Sequence, residues 1–239
     1  FGQVTSQLSL PVGLKGTESF ASFITGQNDQ VCSHLNGLIT QLENNQFAQW
    51  LTYLFADPGF GKSHLLYAVC QQIEQTRESS FYLSFNAIQD LTPDVLLGLE
   101  QYRLICLDDI NKLQGNHTWQ VAVFDLINRV KEQQNSYLVI TGNQAPKFLS
   151  LDLPDLISRL NWGVNFKVHA LTDEQRQQAL IIKAQQRGLN MPKDVAKYLV
   201  THWQRDMPAL VASLDILDEK SLQQQRKLTI PFVKSILNL

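Results

Sequence analysis

Apolar positions along this chain fall into two regimes. In TGQNDQVCSHLNGLITQLEN (25–44), Val31, Leu35, Leu38, Ile39 and Leu42 recur at the spacing of one helix face. The runs that follow are of another kind. WLTYLF (50–55), SFYLSF (80–85), RLICLD (103–108) and YLVITG (137–142) are short, almost uniformly apolar, and followed by turn or helix-start residues. They predict strands buried on both faces, and their alternation with helical stretches predicts a parallel sheet covered by helices on each side. VNFKVH (164–169) supplies a fifth strand.

Beyond Leu171 the strand pattern stops. Thr172 and Gln175 have the spacing of a capping box, Gly188 suits the end of that helix, and Pro192 suits the first turn of the next. Met207, Leu210, Val211, Leu214 and Leu217 mark a third helix, and Thr229 with Pro231 starts a fourth. The expected organisation is an N-terminal tail over 1–16, an α/β domain over 17–169 and a small all-helical domain over 170–239.

Composition narrows the function without choosing it. The 239 residues are 44 % hydrophobic and 18 % charged, with a formal charge of −2, so nothing global draws the chain to nucleic acid. No apolar run has the length of a membrane span, and a cytoplasmic, membrane-free protein is expected. Cys32, Cys70 and Cys106 are far apart, and two of them lie inside apolar runs, so they read as small buried hydrophobes in a reducing compartment. Neither Cys/His ligand spacing nor a G-x-S-x-G elbow is present, which removes metal-hydrolase and serine-hydrolase readings.

The chemistry concentrates in ADPGFGKSHLL (56–66), between the first strand and the next helix. Gly59 and Gly61 let the backbone fold into a concave nest of N–H groups, and the helix starting near Lys62 adds its positive end. Lys62 would reach β- and γ-phosphates and Ser63 would ligate Mg2+, with Pro58, Phe60 and His64 completing the loop and first helical turn. The strict G-x-x-x-x-G-K-[ST] pattern fails at its first place, which is Ala56, and Asp57 puts an acid on an anion-binding loop. A glycine turn with an incidental lysine is the plainer alternative; the order strand, loop, helix favours phosphate. LICLDDI adds Asp108 as a second Mg2+ ligand, on a strand expected beside the loop-bearing one, and Asp109 as the base that would polarise water. Asp109 is one methylene shorter than a Glu, which predicts at most weak autonomous ATPase turnover.

Seven segments in order carry a resemblance over nearly the whole chain: FASFITGQND (20–29), GFGKSHLLYAV (59–69), LICLDDI (104–110), LVITGNQAP (138–146), LPDLISRLNWG (153–163), RDMPALVASLDILD (205–218) and QRKLTIPFVKSIL (225–237). Together they resemble the AAA+ family, in particular the bacterial replication initiator DnaA and its shorter regulatory relative. The resemblance implies an AAA+ P-loop core with a helical lid, binding an adenine nucleotide (ADP or ATP) with Mg2+. It also implies roles for single residues. Phe23 and Ile24 would line the adenine pocket. Asn143 would be the first sensor, where DnaA has Asp, and Arg205 the second, folding the lid onto the phosphates. Arg159 would be an arginine finger offered to the γ-phosphate of a neighbouring subunit; from the residues alone it reads as a surface arginine or helix cap. Homo-oligomers through AAA+ faces are admitted by the same resemblance.

The tail contains QLSLPV, residues Gln7, Leu8, Ser9, Leu10, Pro11 and Val12. Pro11 turns Leu10 away from helix, leaving an extended segment whose leucines suit an apolar groove and whose Gln7 can anchor by hydrogen bonds. It is similar to the motif by which bacterial proteins bind the sliding clamp of the replicative polymerase. DnaA continues past its AAA+ module into a helix-turn-helix, whereas this sequence ends at Leu239, so direct sequence-specific DNA binding is not expected. The resemblance thus implies a clamp-tethered adaptor that makes DnaA hydrolyse its ATP. The alternatives are a helicase-loader-type or DNA-binding AAA+ ATPase, and a self-sufficient P-loop ATPase.

Overall fold

The computed structural model describes residues 18–203 and 206–238. The tail motif Gln7–Val12 and Arg205 lie outside them. The elements are α1 (Asp29–Glu43), β1 (Leu51–Phe55), α2 (Lys62–Gln75), β2 (Ser80–Ser84), β3 (Leu104–Asp108), α3 (His117–Gln133), β4 (Tyr137–Gly142), α4 (Pro154–Leu160) and β5 (Val164–Lys167). Four further helices follow: α5 (Asp173–Gln186), α6 (Lys193–His202), α7 (Met207–Gln224) and α8 (Ile230–Leu237).

All five strands are parallel, in the order β2-β3-β4-β1-β5. Side chains alternate across the sheet with period two, so residues in register share a face. Tyr53 sits opposite Ile140, and Ile105 opposite Leu138; this face packs on Val123, Leu126 and Val130 of α3 and Leu156 of α4. The other face carries Leu54, Cys106 and Val139 against Leu35 and Leu38 of α1 and Leu66, Val69 and Cys70 of α2. Uniformly apolar strands are what such double coverage demands. Only edge strand β5 departs: Asn165 and Lys167 are exposed, and a lysine there discourages a further strand from pairing.

One expectation about order is corrected. β3 does not lie beside β1, because β4 is inserted between them. The connecting helices are long enough to skip a strand position, so nearness in sequence does not set nearness in the sheet.

The lid forms its own core from Leu180, Ala184, Leu199, Leu210, Leu214 and Phe232. Its first helix opens on the expected box: Gln175 N–H donates to Thr172 Oγ1 (3.3 Å), and Thr172 N–H to Gln175 Oε1 (2.9 Å). Pro192 is the N-cap of α6, one place before the first turn. Among the described residues no helix is long and apolar enough to cross a membrane.

Candidate functional site

The carboxyl ends of β1, β3 and β4 meet at one cleft of about 1160 Å³ between the sheet and the lid. Ligands of open parallel sheets lie at this edge. Its floor is the loop after β1. Gly59 and Gly61 have φ of 83° and 92°, a region that L side chains rarely adopt. A Cβ on Gly61 would lie 2.9 Å from Phe23 Cε2, and one on Gly59 would lie 2.8 Å from Pro208 Cδ at the start of α7. The loop is thus a backbone cradle closed by Phe23 on one side and by the lid on the other.

Lys62 begins α2 and is 5 % exposed, its Nζ donating to the carbonyls of Ala56 (2.9 Å) and Asp57 (3.2 Å). Burial pulls its ammonium below the ordinary lysine range, while Asp109, Asp108 and Asp57 act to restore it. One residue on, Ser63 Oγ donates to Asp108 Oδ2 at 2.5 Å. Asp108 is 2 % exposed and takes two further hydroxyl donors, Tyr82 Oη at 2.8 Å and Thr141 Oγ1. The inserted strand β4 therefore supplies Thr141, which bridges the Asp108 carboxylate and the Asp109 N–H. Burying a carboxylate is tolerable only when its lone pairs are so occupied.

Asp109 turns the chain at φ 60°, donating its N–H to Thr141 Oγ1 (2.9 Å) and accepting from Asn86 Nδ2 (2.6 Å). Burial and the adjacent Asp108 charge raise its carboxyl above the ordinary range, against the pull of Asn86, Lys62 and Lys112. Asn143, just past β4, lines the same cleft.

Phe23 and Ile24 line the far end, where the Phe23 ring meets His64 edge-on at 5.2 Å. His64 is held by the Ser19 carbonyl (2.9 Å) and Ser22 Oγ (3.3 Å), and burial lowers its pKa. From the lid, Lys183 pairs with Glu18 (3.3 Å) and Arg187 with Asp215 (2.9 Å), all four lining the cleft. Pro58, Phe60, Ser63 and Asp108 also line it.

The nucleotide-site candidates that fall within the described residues are thus brought together; Arg159 is not. It lies outside the cleft, on α4, half-buried beside a separate depression of about 540 Å³ lined with Asn128, Lys131, Glu132, Gln134 and Trp162. Its Nε donates to Asn128 Oδ1 (2.9 Å), and its Cζ lies 3.9 Å from the Trp162 ring centroid and 5.0 Å from that of Phe124.

Sequence reading missed Tyr82, Thr141, Asn86, Lys183 and Arg187. For Lys183 a signal existed: with Leu180 and Ala184 it belongs to the buried stripe of α5, where an uncompensated lysine is costly. Cys70 and Cys106 are buried thiols with sulfurs 3.5 Å apart, and burial pushes Cys106 well up.

The cradle suits a polyphosphate: a glycine loop with no room for side chains, a buried lysine and a helix start converge on it. Ser63 and Asp108 form a one-carboxylate set of the kind Mg2+ uses when phosphate and water complete its shell. No cluster of three or more His, Cys, Asp or Glu suited to a metal occurs among the described residues.

Residues 14–167 match the bacterial DnaA ATPase domain family. The chain belongs to that family. Residues 173–237 match the lid domain of Hda, so the DnaA-type AAA+ core carries an Hda-type lid. The fold is similar to domain III of DnaA from Thermotoga maritima, with a TM-score of 0.79 at 16 % identity, covering 93 % of this chain and 96 % of that one. It is similar to AMPPCP-bound DnaA from Aquifex aeolicus (TM-score 0.68, 19 % identity, 90 % of this chain and 69 % of that one). The Thermotoga maritima RuvB Holliday junction branch migration motor shares the AAA+ fold at TM-score 0.68 and 12 % identity, over 92 % of this chain and 71 % of that one.

Proposed function

We propose that this chain is a nucleotide-bound adaptor of the DnaA family that promotes hydrolysis of ATP held by DnaA and so restrains replication initiation. The observation that carries the reading is the setting of Arg159. Its guanidinium is fixed by Asn128 and Trp162, no carboxylate pairs with it among the described residues, and its own phosphate loop is elsewhere. A planar cation held this way stabilises charge on a phosphoryl group that another subunit presents, with an effect of about 10³ to 10⁵ in rate.

The chain's own cleft then serves assembly more than turnover. Lys62 and the Gly59–Gly61 cradle hold phosphates, Phe23 and Ile24 hold the adenine, and Ser63 with Asp108 holds Mg2+, which when bound neutralises phosphate charge. Asn143 would act as the first sensor and Arg205 as the second. Asp109, short and engaged by Asn86, is a poor activator of water, so autonomous hydrolysis is slow. Gln7, Leu8, Ser9, Leu10, Pro11 and Val12 bind the sliding clamp and concentrate the finger where DNA has been replicated.

The test is hydrolysis of ATP preloaded on DnaA, with DNA-loaded clamp, with and without this chain. Acceleration that Arg159→Ala abolishes while nucleotide binding persists is the expected result. ATP consumed by this chain alone, with DnaA unaffected, would overturn the proposal. Gln7→Ala with Leu8→Ala should abolish retention on the clamp; a doubly substituted chain still retained would remove the tail from it.

A further inference from the structure

The depression beside Arg159 holds an arrangement that the finger reading does not use. Trp162, 42 % exposed, has Arg159 Cζ at 3.9 Å and Lys131 Nζ at 3.8 Å from its ring centroid. Both cationic groups thus lie over the indole, and their mutual repulsion favours opposite faces. The groups behind it come from one stripe of α3. Phe124, Asn128 and Lys131 are spaced four and three residues apart, hence aligned on one side of that helix. Phe124 backs the guanidinium, Asn128 takes its Nε–H, and Lys131 lies over the same indole. Nη1 and Nη2 of Arg159 make no hydrogen bond to any described residue, which leaves the donating fork uncommitted.

We propose that Trp162 is the positioning residue of Arg159 and that Lys131 pins the indole from its other face. This rests on the reading of Arg159 as a trans-acting finger. A long exposed arginine loses much rotamer freedom on engaging phosphate, and fixing it beforehand reduces that loss. The stack does so without a carboxylate, which would hold the guanidinium as firmly but neutralise it. A cation over an aromatic face keeps its charge. The structure thus separates fixing the cation from quenching it.

The experiment is the same DnaA–ATP hydrolysis, titrated with this chain to saturation, for wild type, Arg159→Ala, Trp162→Ala, Trp162→Phe and Lys131→Met. Misplacement of a reacting group by about 1 Å costs up to about 100-fold in rate. Trp162→Ala should therefore lower the saturating rate by on the order of 10- to 100-fold while leaving the half-saturating concentration and the melting temperature unchanged. Trp162→Phe should recover most of the rate, and Lys131→Met should cost about two- to fivefold. A raised half-saturating concentration with the saturating rate intact would make Trp162 an ordinary interface contact and overturn the proposal. A second readout needs no partner: the Arg159 Nε–H order parameter from 15N relaxation should be high in the wild type and fall in Trp162→Ala. An unchanged order parameter would also overturn it. If Arg159→Ala itself stimulates normally, the finger reading fails; if Arg159→Ala is inactive and Trp162→Ala is not, only the positioning role fails.

Discussion

Replacing Gly61 by alanine separates the phosphate cradle from an incidental turn. At φ 92° an alanine is held in a backbone region that costs about 1–3 kcal/mol for a residue with a Cβ. The new methyl would also stand 2.9 Å from Phe23 Cε2, and that ring is itself packed on His64. Phe23 is half-buried and can shift, so the backbone cost is the floor. If the loop keeps its shape, the whole cost falls on folding. If it relaxes, the cradle is lost and the cost reappears in binding, where about 1.4 kcal/mol is tenfold, giving roughly 5- to 150-fold weaker nucleotide affinity. The two losses together should therefore reach at least about 1 kcal/mol. Titration calorimetry with ADP and with ATP, each with Mg2+, measures one loss, and chemical denaturation the other. Gly37→Ala is the control: Gly37 lies inside α1 at ordinary φ, with Gln41 Nε2 4.0 Å from the added carbon, so it should stabilise by about 0.5–1 kcal/mol and leave binding alone. Gly61→Ala with wild-type affinity and wild-type stability would refute the cradle.

Other outcomes follow from neighbouring groups. Lys62→Ala removes a buried ammonium aimed at the loop, and calorimetry should show nucleotide affinity lowered about 10- to 150-fold; equal affinity would remove Lys62 from the site. Tyr82→Phe deletes one of three hydroxyl donors to the buried Asp108, a charge-assisted bond of about 1.5–3 kcal/mol, so melting should fall by roughly 3–12 °C; an unchanged melting temperature would count against that network. Burial pushes the Tyr137 hydroxyl up to about 12. Unfolded tyrosine ionises near pH 10, so between the two values the unfolded state holds fewer protons, and stability falls by about 1.4 kcal/mol per pH unit from this residue. Urea titrations from pH 9 to 12 should show that part of the slope missing in Tyr137→Phe; identical slopes would refute it.

Much of this molecule is legible before folding because its strands are short, apolar and punctuated. Each strand lies within the run that predicted it, and Thr172 and Gln175 cap α5 as their spacing requires. Strand order is less accessible, since a crossover helix can return the chain to either side of its starting strand. Hence Asp108 was expected next to β1, while β4 occupies that place and contributes Thr141. Partners such as Tyr82 and Asn86 are invisible for a similar reason: each meets its carboxylate more than 20 residues away, through the pairing of β2 with β3. The loop residues Pro58 to His64 were legible because that chemistry is local, needing consecutive backbone groups and little else.

The Glu18–Lys183 pair joins the start of the described chain to α5 of the lid, not to the sheet. From α5, the Arg187–Asp215 pair leads to α7, whose Pro208 presses on Gly59. Mechanically, this is a lever with its load at one end and the phosphate loop under the other. Tension entering at Glu18 would be shared between the lid, through Lys183, and α2, through the hold of Ser19 and Ser22 on His64. A tether attached there would act on the grip of the cleft as well as on the location of the protein.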